Sequence, residues 1–185
     1  HPTEADRALK LETAYAGRSW LWRDLHDNQL GKQIASPLLT AYSDPSINGY
    51  GHYKYDAEGT PAKRVTLIEN GILREFMNGR EYAAILDHSP NGSMRATESH
   101  AVPLVRMTNT VVAHGNKPPA EIVAEVKDGY FIVNHRIPSI SESRENFRIS
   151  AQKVYKIESG KITKLYRQGG ITADSKDFLM NIDAV

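Results

Sequence analysis

The chain has 185 residues, of which 40% are apolar, enough for one sizeable globular domain with a hydrophobic core. Lysine and arginine number 23 against 22 aspartates and glutamates, so the basic excess of phosphate-binding proteins is missing and nucleic acid is not an expected partner. The chain has no cysteine, no apolar run near the ~20 residues of a membrane span, and no apolar signal sequence at its start, so we expect a cytoplasmic protein outside the membrane.

The first part of the chain predicts one helix and one short strand. A helix is predicted over residues 2–15, because Pro2 suits a first helical position and acidic residues occupy the first turn. Trp20-Leu21-Trp22, followed by Leu25, is interpreted as core or interface packing, since no basic patch accompanies the tryptophans. A short strand is predicted over residues 38–42, ended by Asp44-Pro45.

Residues 56–77 carry the clearest structural signal. The apolar residues of 65–68 and 72–73 flank Glu69-Asn70-Gly71, and Asn-Gly adopts the positive φ angles of a type I′ turn at little cost. This pattern predicts a β-hairpin. Residues 56–61 precede it as an acidic, turn-rich approach in which Pro61 disfavours helix at Thr60.

Further elements follow from local pattern. A helix over residues 121–126 is predicted, with Pro119 starting it and Gly129 capping it, and Ser159-Gly160 predicts a second hairpin. The other predicted elements are a helix over 80–86, a polar loop over 88–99, strands over 102–112, 130–133, 147–150 and 154–157, and a helical turn over 178–182.

Hairpins joined with short helices indicate an α+β fold, mainly an antiparallel β sheet or barrel-like arrangement with several short helices. We expect residues 1–185 to form a single domain. No regular alternation of strand and helix suggests a parallel sheet, and the two hairpins share their turn chemistry but not their flanking sequence.

The sequence contains no complete active site of a common type. The seven histidines are scattered, and no two of them lie four residues apart on a predicted helix, so each is interpreted as an ordinary surface or core residue. The glycines form neither a phosphate loop nor a dinucleotide fingerprint, and neither a Gly-x-Ser-x-Gly motif nor a cysteine nucleophile is present.

Four segments resemble the TldD/PmbA family of cytoplasmic metallopeptidases, whose members have also been called modulators of DNA gyrase. They are DAEGTPAKRVTLIENGIL at 56–73, SPNGSMRA at 89–96, PLVRMTNT at 103–110 and EIVAEVKDGYFIV at 121–133. The segments occur in the family's order, and the resemblance covers nearly the whole chain. Residues 135–142 depart from the glycine-rich sequence of many relatives, which predicts a differently shaped loop there.

The resemblance implies zinc in the intact protein. The family's site is a His-Glu-x-x-x-His helix with a cysteine near the C-terminus, and His1 aligns with the second histidine as the metal ligand present in this sequence. The first histidine and the catalytic Glu are then expected upstream and the cysteine downstream, so we expect most of a C-terminal domain truncated at both ends. Residues 1–185 would hold no catalytic residue and bind no zinc tightly. Pro2 would disturb a helix continuing through His1, and the alternative explanation of His1 is a tag remnant.

The resemblance also implies a peptide substrate, which could bind by adding a strand to a sheet edge, and a homodimer or a heterodimer with a paralogous subunit. The candidate substrate-binding residues lie in two of the resembling segments: Asn91, Gly92, Arg95, Arg106, Thr108 and Asn109. These residues could equally serve to hold a loop and a strand in shape. The alternative function is a non-catalytic peptide-binding or partner subunit of the PmbA type. A DNA-binding module has no basic face to support it.

Overall fold

The computed structural model describes residues 19–23, 26–141 and 143–185. The helix predicted over residues 2–15, the residue Leu25 and the predicted metal ligand His1 lie outside these ranges. The described helices are α1 (Arg80–Ile85), α2 (Pro119–Glu125) and α3 (Ser175–Met180). The described strands are β1 (Ala41–Ser43), β2 (Val65–Glu69), β3 (Ile72–Leu73), β4 (Met94–Arg95), β5 (Leu104–Val105), β6 (Thr110–Val112), β7 (Asp128–Ile140), β8 (Asn146–Glu158), β9 (Lys161–Tyr166) and β10 (Gly170–Asp174).

The first sheet is antiparallel and has the order β3-β2-β1-β6. The predicted hairpin lies at its edge, where Asn70 and Gly71 have φ angles of 50° and 79°. Both positive angles are those of a type I′ turn, so the hairpin is confirmed. The strand predicted over residues 38–42 is also present but lies slightly later, in β1.

A hydrophobic core packs against the first sheet. Its fully buried members include Leu67 and Leu73 from the hairpin and Leu21 from the segment that precedes the sheet. The Trp22 ring meets the Phe76 ring edge to face at 5.2 Å, an orientation that aromatic pairs favour. This packing confirms the interpretation of the Trp20-Leu21-Trp22 segment as part of a core.

The second sheet contains the longest strands. β7 and β8 have 13 residues each and pair antiparallel, while β9 and β10 pair with the other edge of β8. Ser159 and Gly160 have φ angles of 50° and 76°, so the second predicted hairpin is confirmed. The differently shaped loop expected over residues 135–142 is wrong for most of its length, because β7 continues to Ile140.

Two further predictions need correction. The strand predicted over residues 102–112 is two short strands, β5 and β6, because residues 106–109 instead direct their polar groups to neighbouring loops. Gly129 does not cap α2; the helix ends at Glu125, Val126 is its C-cap, and Gly129 already lies in β7. The helix over residues 80–86 is confirmed as α1, while the C-terminal helical turn begins three residues before its predicted start.

The last helix links the two sheets. Leu179 of α3 is buried in the first core and its carbonyl accepts a hydrogen bond from the Ser36 N–H at 2.9 Å. On the same helix the Phe178 ring packs edge to face on Phe147 of the second sheet, 5.4 Å away. Asp174 caps the helix, accepting hydrogen bonds from the N–H groups of Lys176 and Asp177.

The described part of the chain confirms an α+β fold with mainly antiparallel sheets. Each sheet path is open and none closes on itself. Among the helices in this part, the longest has seven residues, so none has the length and apolar character needed to cross a membrane.

Candidate functional site

The acidic approach to the first hairpin folds around one buried carboxylate. Asp56 Oδ1 accepts hydrogen bonds from the N–H groups of Glu58 and Thr60, both at 2.9 Å, which closes the turn. Asp56 Oδ2 accepts a third bond from the Met94 N–H of β4 at 3.2 Å. One side chain therefore both shapes residues 56–60 and fixes them against the segment that contains three candidate residues.

Tyr53 makes a second connection between the same segments. Its hydroxyl donates to the Gly92 carbonyl at 2.6 Å. Burial of the phenol, with a further contribution from the negative charge of Asp56, raises the pKa of Tyr53 to about 12, although Arg95 opposes the change. Gly92 itself has φ +73°, and a Cβ there would lie 2.6 Å from the Pro61 carbonyl oxygen, so glycine is required for this close approach.

Replacing Tyr53 by Phe is expected to lower the free energy of unfolding by about 1 kcal/mol at neutral pH, because the Gly92 carbonyl loses its donor. The pKa of Tyr53 is raised from 10.0 to about 12 in the folded state, so this stabilisation is complete below pH 10 and is lost as the pH rises through 12. Urea unfolding of both proteins at neutral and alkaline pH measures the difference. Tyr50→Phe, at a fully exposed tyrosine, is the control; equal effects of the two substitutions would contradict the assignment.

Asn91 is the fully buried centre of a hydrogen-bond network. Its backbone N–H donates to Asn78 Oδ1 at 3.0 Å, and its Oδ1 accepts from the Asn78 N–H at 2.9 Å and from Ser93 Oγ at 2.8 Å. Its Nδ2 donates to the Phe76 carbonyl and to Glu75 Oε1 at 2.9 and 3.0 Å. The side chain is 0% exposed, and its hydrogen bonds hold the loop in shape.

Thr108 and Asn109 fix a second loop. The Thr108 hydroxyl shares a hydrogen bond of 2.7 Å with the hydroxyl of Ser43. Asn109 Oδ1 accepts from the Gly51 N–H at 3.0 Å, and its Nδ2 donates to the carbonyls of Asp44 and Ile47 at 3.1 and 2.8 Å. These side chains tie residues 43–51, at and after the end of β1, to the start of β6 and use both polar groups of the Asn109 amide.

Arg95 and Arg106 are the candidate residues whose side chains face solvent. Arg95 lies in β4, which pairs with β5, and Arg106 directly follows β5. The Arg106 N–H donates to the Ser93 carbonyl at 2.9 Å, so the two arginine-bearing segments are adjacent. Both guanidinium groups are therefore available for a carboxylate of a bound polypeptide.

The structure brings three of the four resembling segments together. Segments 56–73, 89–96 and 103–110 meet around β4 and β5, whereas the segment 121–133 forms α2 and the start of β7. Sequence reasoning missed Tyr53, Asn78 and Ser43, which position the candidate residues through one or two hydrogen bonds each. Such partners are distant in sequence, by 39 residues for Tyr53 and Gly92, and no local pattern marks them.

The described residues do not fit a zinc centre. In residues 19–23, 26–141 and 143–185 no three side chains of histidine, aspartate or glutamate are grouped so that they could hold a metal ion, and the chain has no cysteine. Zinc sites need three or four such ligands. His1 lies outside the described residues, so its predicted role stays a prediction.

Comparison with known proteins gives the following relations. Residues 5–185 match the family described as PmbA/TldA metallopeptidase C-terminal domain. The chain is 32% identical to the metalloprotease MJ0996 of Methanocaldococcus jannaschii over 100% of this chain and 39% of that protein. It is 34% identical to the zinc metalloprotease TldD homolog of Saccharolobus solfataricus over 71% of this chain and 29% of that protein.

Two solved structures have the same fold. The structure of TldE from Thermococcus kodakarensis gives a TM-score of 0.77 at 21% identity, over 97% of this chain and 41% of that one. A Thermotoga maritima protein described as a modulator of a DNA gyrase gives a TM-score of 0.79 at 23% identity, over 98% of this chain and 39% of that one. The chain thus spans about two fifths of the length of MJ0996 and of both structures.

Proposed function

Since the chain belongs to the PmbA/TldD family of metallopeptidases, we propose that the protein containing it is a TldD-like, zinc-dependent metallopeptidase that acts on peptides or unfolded segments. The match over residues 5–185 carries this proposal, and the relatives named metalloproteases support it. We assign the activity to the whole protein and expect residues 1–185 by themselves to be inactive.

In this proposal the residues around β4 and β5 contribute to binding of the peptide. Arg95 and Arg106 contact the substrate directly, because their side chains are exposed on adjacent segments. Asn91, Gly92, Thr108 and Asn109 act indirectly and hold the loops that position the two arginines. The peptide adds main-chain hydrogen bonds by pairing with a free sheet edge. The active assembly is a homodimer or a heterodimer with a paralogous subunit, in the cytoplasm.

Zinc content and peptide hydrolysis of the full-length gene product test the catalytic part of this proposal. The wild type is expected to hold stoichiometric zinc and to cleave an unfolded polypeptide. His1→Ala is expected to lose zinc and activity together, while His88→Ala, at an exposed histidine, keeps both. Full zinc occupancy in His1→Ala would refute the ligand assignment, and a wild type with neither zinc nor hydrolysis would refute the peptidase.

The same hydrolysis assay tests the two arginines. In Arg95→Ala/Arg106→Ala the KM is expected to rise roughly fivefold or more with little change in kcat, because contacts made equally in ground and transition states are removed. Lys32→Ala/Lys176→Ala removes two exposed cations outside the three segments that meet at β4 and β5 and serves as the control. Equal KM values in the two double variants would exclude a direct role.

The second candidate is a non-catalytic peptide-binding or partner subunit of the PmbA type. The similarity of the fold to the TldE structure fits this candidate as well as it fits a TldD-like enzyme. Zinc content and peptide hydrolysis distinguish the two candidates. A partner subunit would neither hold zinc nor cleave, but it would bind polypeptide, and the arginine variants would weaken this binding.

A further inference from the structure

Positive charge is concentrated on one part of the molecule although the whole chain is nearly neutral. Residues 127–167, which comprise β7, β8, β9 and their connections and are called the basic sheet here, contain nine lysines and arginines against four aspartates and glutamates. Their formal net charge is +5, and the remaining residues carry a net charge of −4. The balanced total therefore conceals a basic part of the molecule, so the expectation from the sequence that the chain has no basic face is wrong.

Most of these cations have no anionic partner. Lys156 pairs with Asp128, and Arg144 donates to the Ser141 carbonyl. The other seven are exposed and form no ion pair with any described residue. They are Lys127, Arg136, Arg148, Lys153, Lys161, Lys164 and Arg167. Exposed and unpaired, they are free to attract an anionic partner.

Apolar side chains lie among the cations. Ile137, Ile162 and Leu165 are 74%, 49% and 61% exposed, and Leu165 shares a face with Phe131 and Tyr155 through the strand register. Aliphatic groups gain nothing from a phosphate backbone, whereas they pack well on the side chains of a polypeptide. The aliphatic part of this surface therefore favours an acidic polypeptide, while the exposed rings of Tyr130, Phe131 and Tyr166 make a single-stranded nucleic acid the rival that the test must exclude.

The basic sheet also offers a free strand edge. Among the described residues β7 pairs with β8 only, so the outward N–H and C=O groups of β7 have no strand beside them. The ladder is regular from Asp128 to Val133 and is then interrupted by a bulge between His135 and Pro138. Proline lacks the N–H that a further strand would need, so the usable edge has six residues. Lys127 and Arg136 stand just beyond its two ends.

We propose that the basic sheet is a docking surface for an acidic, extended polypeptide segment. The segment pairs with the edge Asp128–Val133, its carboxylates contact Lys127 and Arg136, and its apolar residues pack on the exposed aliphatic side chains. A second copy of the basic sheet is disfavoured at this edge, because two like-charged surfaces would repel each other. This inference deepens the peptide-binding part of the proposed function. Only the identification of the bound segment as a substrate rests on the proposed function; the binding itself does not.

Fluorescence anisotropy with the full-length protein tests the proposal without any need for catalysis. The probe is a short labelled peptide in which glutamate alternates with valine. Its affinity is expected to fall as the salt concentration rises. In Lys127→Glu/Arg136→Glu binding is expected to weaken about tenfold or more, because two attractive contacts become repulsive. The control Lys32→Glu/Lys63→Glu changes the net charge equally at two exposed, unpaired cations outside the basic sheet and is expected to keep most of the affinity.

Three matched measurements can overturn the inference. A peptide with glutamine in place of glutamate that binds equally well would exclude recognition of acidic side chains. Tighter binding of oligothymidylate of the same formal charge would identify a nucleic-acid surface instead. Equal loss of binding in both Glu double variants would show that the peptide responds only to the net charge of the protein and not to Lys127 and Arg136. Circular dichroism confirms that the variants are folded, and Lys127→Gln/Arg136→Gln, with an intermediate loss, provides a milder second test.

Discussion

Replacing Gly71 by alanine is expected to destabilise the protein by about 3 kcal/mol, the combined cost of a left-handed alanine and of overpacking. Gly71 has φ +79°, and a Cβ there would clash with the Ala35 carbonyl oxygen and lie 2.7 Å from that of Ser36. The contact is with backbone and not with the end of a flexible side chain, so little can move to relieve it.

The hydrogen bonds of Gly71 also hold the turn close to residues 34–39. The Gly71 carbonyl accepts from the N–H groups of Ile34 and Ala35 at 2.8 and 3.1 Å, and its own N–H donates to the Leu39 carbonyl at 2.8 Å. Any shift of the turn away from residues 34–39 would lengthen these bonds. Gly71→Ala is therefore expected to lower the stability both through overlap with the neighbouring backbone and through the unfavourable φ angle of alanine in the turn.

Gly31→Ala separates the two contributions. Gly31 also has a positive φ, +75°, but a Cβ there would have no neighbour within 4 Å. This variant is expected to lose about 1 kcal/mol, the cost of the left-handed conformation alone. Urea unfolding of both variants measures the difference, and equal losses would show that the turn is not pressed against residues 35 and 36.

Asn91→Ala is expected to lower the free energy of unfolding by about 3 kcal/mol, because buried polar groups lose their partners. The Asn78 N–H and the Phe76 carbonyl would be left without the Asn91 side chain, and so would the Ser93 hydroxyl. All lie beside a side chain that is 0% exposed, where water does not replace the lost bonds.

An exposed asparagine provides the matched control for this prediction. Asn116→Ala, in the loop before α2, is expected to change stability by less than about 0.5 kcal/mol, as is usual for surface positions. If the full-length Asn91→Ala protein unfolded at the same urea concentration as Asn116→Ala, the network would not stabilise the fold.

The two hairpin turns and the helix α1 were predictable because their determinants are local. Asn70-Gly71 and Ser159-Gly160 adopt positive φ angles at low cost, and the flanking apolar residues show the alternation of strands. The sequence 80–86 likewise contains good helix formers at helical spacing. In each case a few consecutive residues decide the conformation.

The lengths of β7 and β8 were not predictable in this way. β7 has no buried residue, and the buried residues of β8, Ala151, Val154 and Ile157, are three apart and do not alternate. Neither strand therefore shows a sustained apolar alternation, and Pro138 argues against a central strand. The strand continues past Pro138 because β7 is an edge strand among the described residues. Position in the sheet, which only the three-dimensional structure provides, decided the outcome.

The candidate site also has features that the sequence predicted and features that it did not. The sequence drew attention to the segments 56–73, 89–96 and 103–110, and the structure places them together. It did not distinguish the buried Asn91 from the exposed Arg95, although the two lie four residues apart. The role of Asn91 depends on partners such as Asn78, whose distance in sequence hides the contact.

The sequence by itself determined the fold class, the two type I′ turns and the resemblance to a metallopeptidase family, because propensity, turn chemistry and motif order are properties of neighbouring residues. Only the tertiary structure decided which polar residues are buried, how far β7 extends, and that the cations of residues 127–167 are mostly exposed on one sheet. Burial and electrostatic surface depend on which distant segments pack together, and this information is not carried by any short stretch of sequence.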